Sequence, residues 1–154
     1  MTRAAARTAE QRKHDTIHRL EHDVDVWVAT ASGDGEVPHL APLSFVWDGA
    51  VLLTATAATT PTGRGLRDHG VARLAVGPAD DTVMIEGTAV AVSPADLPEE
   101  DAEIFAGKTG FDPRELAAPH LYFRIHPRRI QAWRAREEAE ATDVMRDGEW
   151  LLAD

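Results

Sequence analysis

Residues 24–57, VDVWVATASGDGEVPHLAPLSFVWDGAVLLTATA, decide the fold. Val24, Val26 and Val28 fall on one face at the two-residue period of a strand. Residues 32–36, SGDGE, read as a turn. Residues 37–47 must be extended, because Pro38 and Pro42 bar a helix. Asp48 and Gly49 close a second hairpin into residues 50–57, AVLLTATA. Three strands joined by such short turns make an antiparallel meander.

The rest of the chain can be read outward from it. Upstream, Thr8 with Gln11 forms a capping-box pattern that opens a helix over residues 8–23. Downstream, TTPTGRGLRDHG (59–70) has Thr60 as N-cap, Pro61 at the first helical position and Gly70 at the exit. VARLAVG and TVMIEGTAVAV are two further strands joined across PADD (78–81). Ser93, Pro94 and Asp96 open an acidic helix toward Gly107, and FDPREL restarts one with Asp112 as cap and Pro113 behind it. HLYFRIHPRRIQAWRA is extended, and DVMRDGEWLLA reads as a hairpin around Asp147 and Gly148. The expectation is one domain over residues 1–154: a helix at 8–23, a barrel at 24–135 and a C-terminal hairpin at 142–153. The fold class is mainly β with flanking helices, a six-stranded antiparallel barrel.

Composition narrows the function. The chain has 154 residues, enough for one real core. It has no cysteine, which excludes disulfides, thiolate metal sites and cysteine nucleophiles. A formal charge of −10 argues against a general nucleic-acid binder, which needs a basic face. No apolar run approaches the roughly 20 residues of a membrane span. The basic, alanine-rich N-terminus is not followed by an apolar core, so no signal peptide, no membrane role and a cytoplasmic location are expected.

The helix at Thr60 and Pro61 raises the question of an anion. Free amides of Thr62 and Gly63 at a helix N-terminus attract phosphate, Gly63 permits close approach, and Arg64 or Arg67 can supply a cation. A capped helix with solvated arginines explains the same residues. His14, His18 and His22 share a helical face at metal-ligand spacing, amid charged neighbours that suit an exposed helix; no native metal is expected there. Asp80 and Asp81 suit a turn, and Glu86 before Gly87 suits a bulge with an arginine partner, Arg73 or Arg124. None of the three serines sits in a nucleophile elbow, which disfavours hydrolase chemistry.

In order along the chain, VWVATASGDGEVPHLAPLSFVWDG, LLTATAATTPTGRGLRDHGVARLAVG and DTVMIEGTAVAV resemble the pyridoxamine 5′-phosphate oxidase-like, FMN-binding split-barrel family. PRRIQAWRA and MRDGEW resemble an actinobacterial branch of it. The resemblance implies a homodimer with two cofactor sites at the barrel interface, and FMN or the deazaflavin coenzyme F-420 as cofactor. It implies that Pro42, Leu43, Ser44, Thr54, Ala55 and Thr56 line the ring system, with the cofactor phosphate over Thr60, Thr62, Gly63 and Arg64. Trp133 and Arg134 would reach the cofactor from the partner subunit. Many family members carry lysine at Thr62 and asparagine at Gly65, so this chain lacks that point charge at the implied phosphate site, which implies a weakly held cofactor or one of a different kind. The implied activity is hydride transfer between the cofactor and a small organic substrate, with His39 and His69 the nearest titratable groups. Non-catalytic flavin, F-420 or haem binding is the alternative.

Overall fold

The computed structural model describes residues 5–31, 37–134 and 138–152. The SGDGE turn therefore lies outside the described residues. Helix α1 (Ala9–His22) is opened by the expected capping box: the Gln11 N–H donates to the Thr8 hydroxyl at 3.2 Å, and the Thr8 N–H donates to the Gln11 side chain at 2.8 Å. Strands β1 (Asp25–Ala31), β2 (Pro38–Trp47) and β3 (Leu52–Ala57) form the antiparallel meander. Asp48 fixes the β2–β3 turn by accepting from the amides of Ala50 and Val51.

Helix α2 (Pro61–His69) follows, ended by Gly70 in the left-handed region. Strands β4 (Val71–Val76) and β5 (Asp81–Val92), helix α3 (Glu99–Thr109), a 3-10 turn (Pro113–Glu115) and the long strand β6 (His120–Arg134) come next. Strands β7 (Glu138–Arg146) and β8 (Glu149–Trp150) close the chain. They join through Asp147 and Gly148, both at positive φ, as a tight hairpin requires.

The strand order is β3-β2-β1-β4-β5-β6, and β3 also pairs with β6, so six antiparallel strands close a barrel. The first half of β6 pairs with β3 and β5, and its second half pairs with β5 and β7. This double use brings β7 and β8 alongside the barrel wall. Inward residues such as Val26, Val28, Phe45, Leu52, Leu74, Ile85, Phe123 and Ile125 make the main core. Their alternation with outward residues is the period-two pattern of the sequence realised in space.

Two expectations needed correction. The acidic helix begins at Glu99, not near Ser93, and ends at Gly110, not Gly107. The Ser93 hydroxyl bonds Asp96 at 3.0 Å, and the amides of Asp96 and Leu97 donate to the Ser93 carbonyl, so residues 93–97 form a turn. Pro98 is the N-cap without a side-chain bond, and Glu99, Glu100 and Asp101 complement the helix dipole instead. FDPREL gives only one 3-10 turn, with the Asp112 carboxylate accepting from the Arg114 amide.

Helix α3 packs on the barrel's outer wall over β3 and the start of β6. Ala102 and Phe105, with Leu97, bury Ala55 and Tyr122, and Phe105 meets the Tyr122 ring edge-on at 5.6 Å. Helices α1 and α2 lie at opposite barrel ends: α1 leads into the start of β1, and α2 packs on Thr30, Ala31 and Ala57. Among the described residues, the outer face of β1, β4 and β5 keeps Trp27 and Val71 about half exposed. None of the described helices is long and apolar enough to cross a membrane.

Candidate functional site

The N-terminus of α2 gathers the four residues expected to hold an anion. Its geometry differs from the expectation in one respect: the Gly63 amide is not free. It donates to the Thr60 hydroxyl at 3.0 Å, and that hydroxyl donates to the Ala57 carbonyl at 2.9 Å. Thr60 is thus a true N-cap, and its own carbonyl takes the Arg64 amide. Pro61 has no N–H, so Thr62 carries the one first-turn amide left without a partner among the described residues. The Arg64 guanidinium folds back on the Thr59 carbonyl at 2.6 Å, and the Thr56 and Thr60 hydroxyls lie 3.3 Å apart.

Gly63 also has a different reason to be glycine. A Cβ built there would run into the Ala57 carbonyl, and at Gly65 one would sit 2.7 Å from the Ala31 carbonyl. Both glycines let α2 approach the strand ends, so close packing of helix on sheet explains them. Gly63→Ala is expected to destabilise the fold by about 1 to 3 kcal/mol through overpacking, read as a lowered midpoint in thermal unfolding. An unchanged midpoint would show that the helix can shift at no cost.

The expected ring-lining residues divide between the two faces of the wall. Pro42 and Ser44 stand on the outer face, opposite Trp27 and Asp25 of β1, while Leu43 packs toward the main core. Thr54 is fully buried and its hydroxyl donates to the Ser44 carbonyl at 2.8 Å. Ala55 faces outward but lies beneath α3, and Thr56 is turned toward Thr60. Thr54, Ala55 and Thr56 therefore shape the wall and present almost no open surface in the single chain. Pro42, Leu43 and Ser44 do line an open cleft, of about 730 Å³.

Trp133 lies on the same outer face but far along it. It borders a second opening, of about 540 Å³, with Trp27, Ala75 and Met84. From Pro42 the register runs to Trp27, Ala75 and Met84, and Trp133 is reached on the next strand through Thr82. Trp133 stands four strands along this register from Pro42 and does not line the Pro42 cleft. Arg134 is committed elsewhere, with Asp81 at 3.4 Å and Asp15 at 3.7 Å.

Other titratable groups resolve into structural pairs. Glu86 sits at the β5 bulge and meets Arg73 at 2.7 Å, as expected of one of its two candidate partners, while Arg124 meets Asp101. Asp81 is held by Arg19 and Arg134, so the PADD carboxylates do not form a site of their own. The rings of His18 and His22 stack at 4.1 Å, and among the described residues no group of three or more histidines and carboxylates is placed to hold a metal. His39 and His69 lie at the half-buried margins of β2 and α2.

The sequence reading missed a buried ion-pair network. The Arg7 guanidinium makes a bidentate contact with Glu138 at 2.8 and 3.0 Å and also reaches Asp15 at 3.2 Å. Their partnership spans 131 residues, and no local pattern announces it. Burial alone would raise the Glu138 carboxyl, but the bonds from Arg7 outweigh it and hold the group below the ordinary carboxylate range.

These features have a family context. The model of the pyridoxamine 5′-phosphate oxidase family matches residues 18–134, and the chain belongs to that family. No protein with a curated description matches it in sequence. Among solved structures, the general stress protein 26 of Bacillus anthracis is 17% identical, with 85% of this chain and 97% of that one covered at a TM-score of 0.62. An FAD-binding protein from Mesorhizobium loti is 19% identical, covering 76% and 90% at 0.60. An F-420 reductase is 18% identical, covering 73% and 93% at 0.58. At these identities the likeness is one of fold.

Proposed function

We propose that the protein is a homodimeric oxidoreductase that binds FMN or coenzyme F-420 and passes a hydride to or from a small organic substrate. The observation that carries this reading is the donor set at the start of α2: the unpartnered Thr62 amide, the nearby Thr56 hydroxyl and the Arg64 guanidinium. A helix N-terminus with such donors suits a phosphate. Family membership and structural neighbours named for FAD binding and F-420 reduction support a flavin-type ligand. The cofactor supplies the hydride chemistry, and the chain's work is to bind it, orient it and keep water out.

A second copy completes the arrangement. Trp27, Leu40 and Val71 are each about half or more exposed on the uncovered outer face. Ala29 and Met84 join them on that wall. A partner seated there covers this apolar surface and brings its own Trp133 toward the ring subsite that Pro42 and Ser44 border. Binding without turnover is the second reading. It is favoured by the commitment of the Gly63 amide and by Thr62 standing where many relatives carry lysine.

Arg64→Ala tests the phosphate subsite. It is expected to weaken FMN or F-420 binding by about 1.5 to 3 kcal/mol, the scale of a hydrogen bond to a charged group, while leaving riboflavin binding unchanged. Equal affinity in variant and parent would remove Arg64 from the site.

A further inference from the structure

Helix α3 is thinly anchored. Of its 11 residues, Ala102 and Phe105 are buried, and its N-cap, Pro98, makes no side-chain hydrogen bond. A helix of this length is marginal alone in water, so its persistence depends on what it packs against. Beneath it Tyr122 is fully buried, and its phenol hydroxyl has no hydrogen-bond partner among the described residues.

Lys108 stands in the last turn of α3. Its Nζ lies 4.5 Å from the centre of the Phe45 ring, is closed off from water and has no hydrogen-bond partner among the described residues. The residue as a whole is half-buried, so its charged head points inward and water meets the rest, the reverse of the usual arrangement of a lysine. An ammonium carries three donors, and a ring face offsets part of what they lose. Burial accordingly lowers the Lys108 amine below the ordinary lysine value, and Asp23 at the α1 C-cap opposes the shift. The remaining charges around it are placed or engaged elsewhere. Glu99, Glu100 and Asp101 belong to the first turn of α3, Asp101 pairs with Arg124, and Glu103 pairs with Arg114. On β2 the one titratable residue is His39, near the opposite end from Phe45.

We propose that α3 is a pH-sensitive flap on the barrel wall, held least firmly while Lys108 is protonated and more firmly once the amine is neutral. Lifting the flap gives the Lys108 head to water and uncovers Tyr122 and Ala55. In the open flap Lys108 takes its ordinary value, near pH 10.4, whereas the docked flap holds it lower. The cost of burying the ammonium is fully present below the docked value and disappears as pH rises from there to the open one. Tyr122 sets the upper limit. Burial raises its phenol, with Asp112 adding to the shift and Arg114 opposing it. Docking therefore weakens again once pH passes the ordinary tyrosine value of about 10. Neither Lys108 nor Tyr122 belongs to the α2 donor set or to the Pro42 cleft, so the flap stands apart from the cofactor reading.

The chain has two lysines, Lys13 and Lys108, and one tyrosine, so the full chain carrying isotope-labelled lysine and tyrosine gives a simple NMR spectrum. The Lys108 Cε signal is expected to titrate below about pH 10.4, the ordinary lysine value. The Tyr122 ring is expected to exchange with a minor, solvent-exposed state. The population of that state should fall as pH rises from about 7 to about 9.5, by no more than about tenfold per pH unit. In Lys108→Met and Lys108→Gln it should be about tenfold lower at neutral pH and should no longer change with pH. A Lys108 that titrates at the ordinary value would place its head in water and overturn the proposal. So would a minor Tyr122 state that is absent or indifferent to pH in the parent, or one that keeps its pH dependence in both variants.

Discussion

Arg7→Ala is expected to destabilise the protein by about 3 to 5 kcal/mol, the cost of leaving one member of a buried ion pair alone. The side chains of Arg7 and Glu138 are 7% and 3% exposed, so water cannot replace the lost partner. Glu138 joins the first residues of β7 to the segment ahead of α1, and Asp15 extends the link through Arg134 to Asp81 at the start of β5. Urea unfolding of Arg7→Ala, Glu138→Gln and the double variant Arg7→Met, Glu138→Leu separates pairing from packing. Each single variant should fall well below the parent, and the apolar double variant should recover most of the loss. Single variants as stable as the parent would show the pair to be solvated.

The same pair sets an acid limb. The Glu138 carboxyl is held below its unfolded value, so its stabilisation is fully present above that value, near pH 4.3, and is lost as pH falls through the folded one. Asp143 is shifted the same way: burial raises it, and Arg146 and Arg129 outweigh burial. Stability in the parent should therefore be flat from these groups above about pH 5 and fall below about pH 4. Glu138→Gln should flatten that fall, and an acid limb as steep as the parent's would assign it to other carboxylates.

The second large effect concerns assembly. Leu40 is 67% exposed on β2, beside Ala29 of β1, at the β2 edge of the uncovered wall. Leu40→Lys places a charge where a partner would have to bury it. An anchor of this kind is worth about 2 kcal/mol or more, and that alone raises the dimer dissociation constant roughly thirtyfold. Sedimentation at micromolar concentration should show a dimeric parent and a largely monomeric variant. In the proposed dimer the partner's Trp133 completes the ring subsite, so cofactor binding should fall with dimerisation, although Leu40 does not line the Ser44 cleft. A monomeric parent would undo the interface model.

How much of this was legible depended on whether the signal was local. The meander, the capping box at Thr8 and Gln11, and the Thr60-Pro61-Gly70 helix rest on contacts a few residues apart, and the sequence displays them as turn and cap chemistry. The start of α3 was misread because Ser93 and Asp96 do bond locally, but into a turn that Pro98 separates from the helix. The residue types at α2 suggest an anion site, but they do not show how the Gly63 amide is used. Serving the Thr60 hydroxyl and serving a ligand require the same amide, and residue types cannot choose between them. The burial of Ala55 and Tyr122 beneath Phe105, the closure of β3 on β6 and the Arg7–Glu138 pair all join distant segments. Only the folded barrel sets which of them meet.

The most direct measurement of the central claim is parallel titration of the cofactor-free protein with FMN, coenzyme F-420 and riboflavin, followed by their fluorescence. Micromolar binding of one phosphorylated cofactor, with riboflavin much weaker than FMN, is the predicted result; it would place phosphate recognition in the α2 donor set and choose the reductant for substrate screening. Failure of both FMN and F-420 to bind would contradict the account and leave Thr60 to Gly70 as an ordinary capped helix on a family barrel.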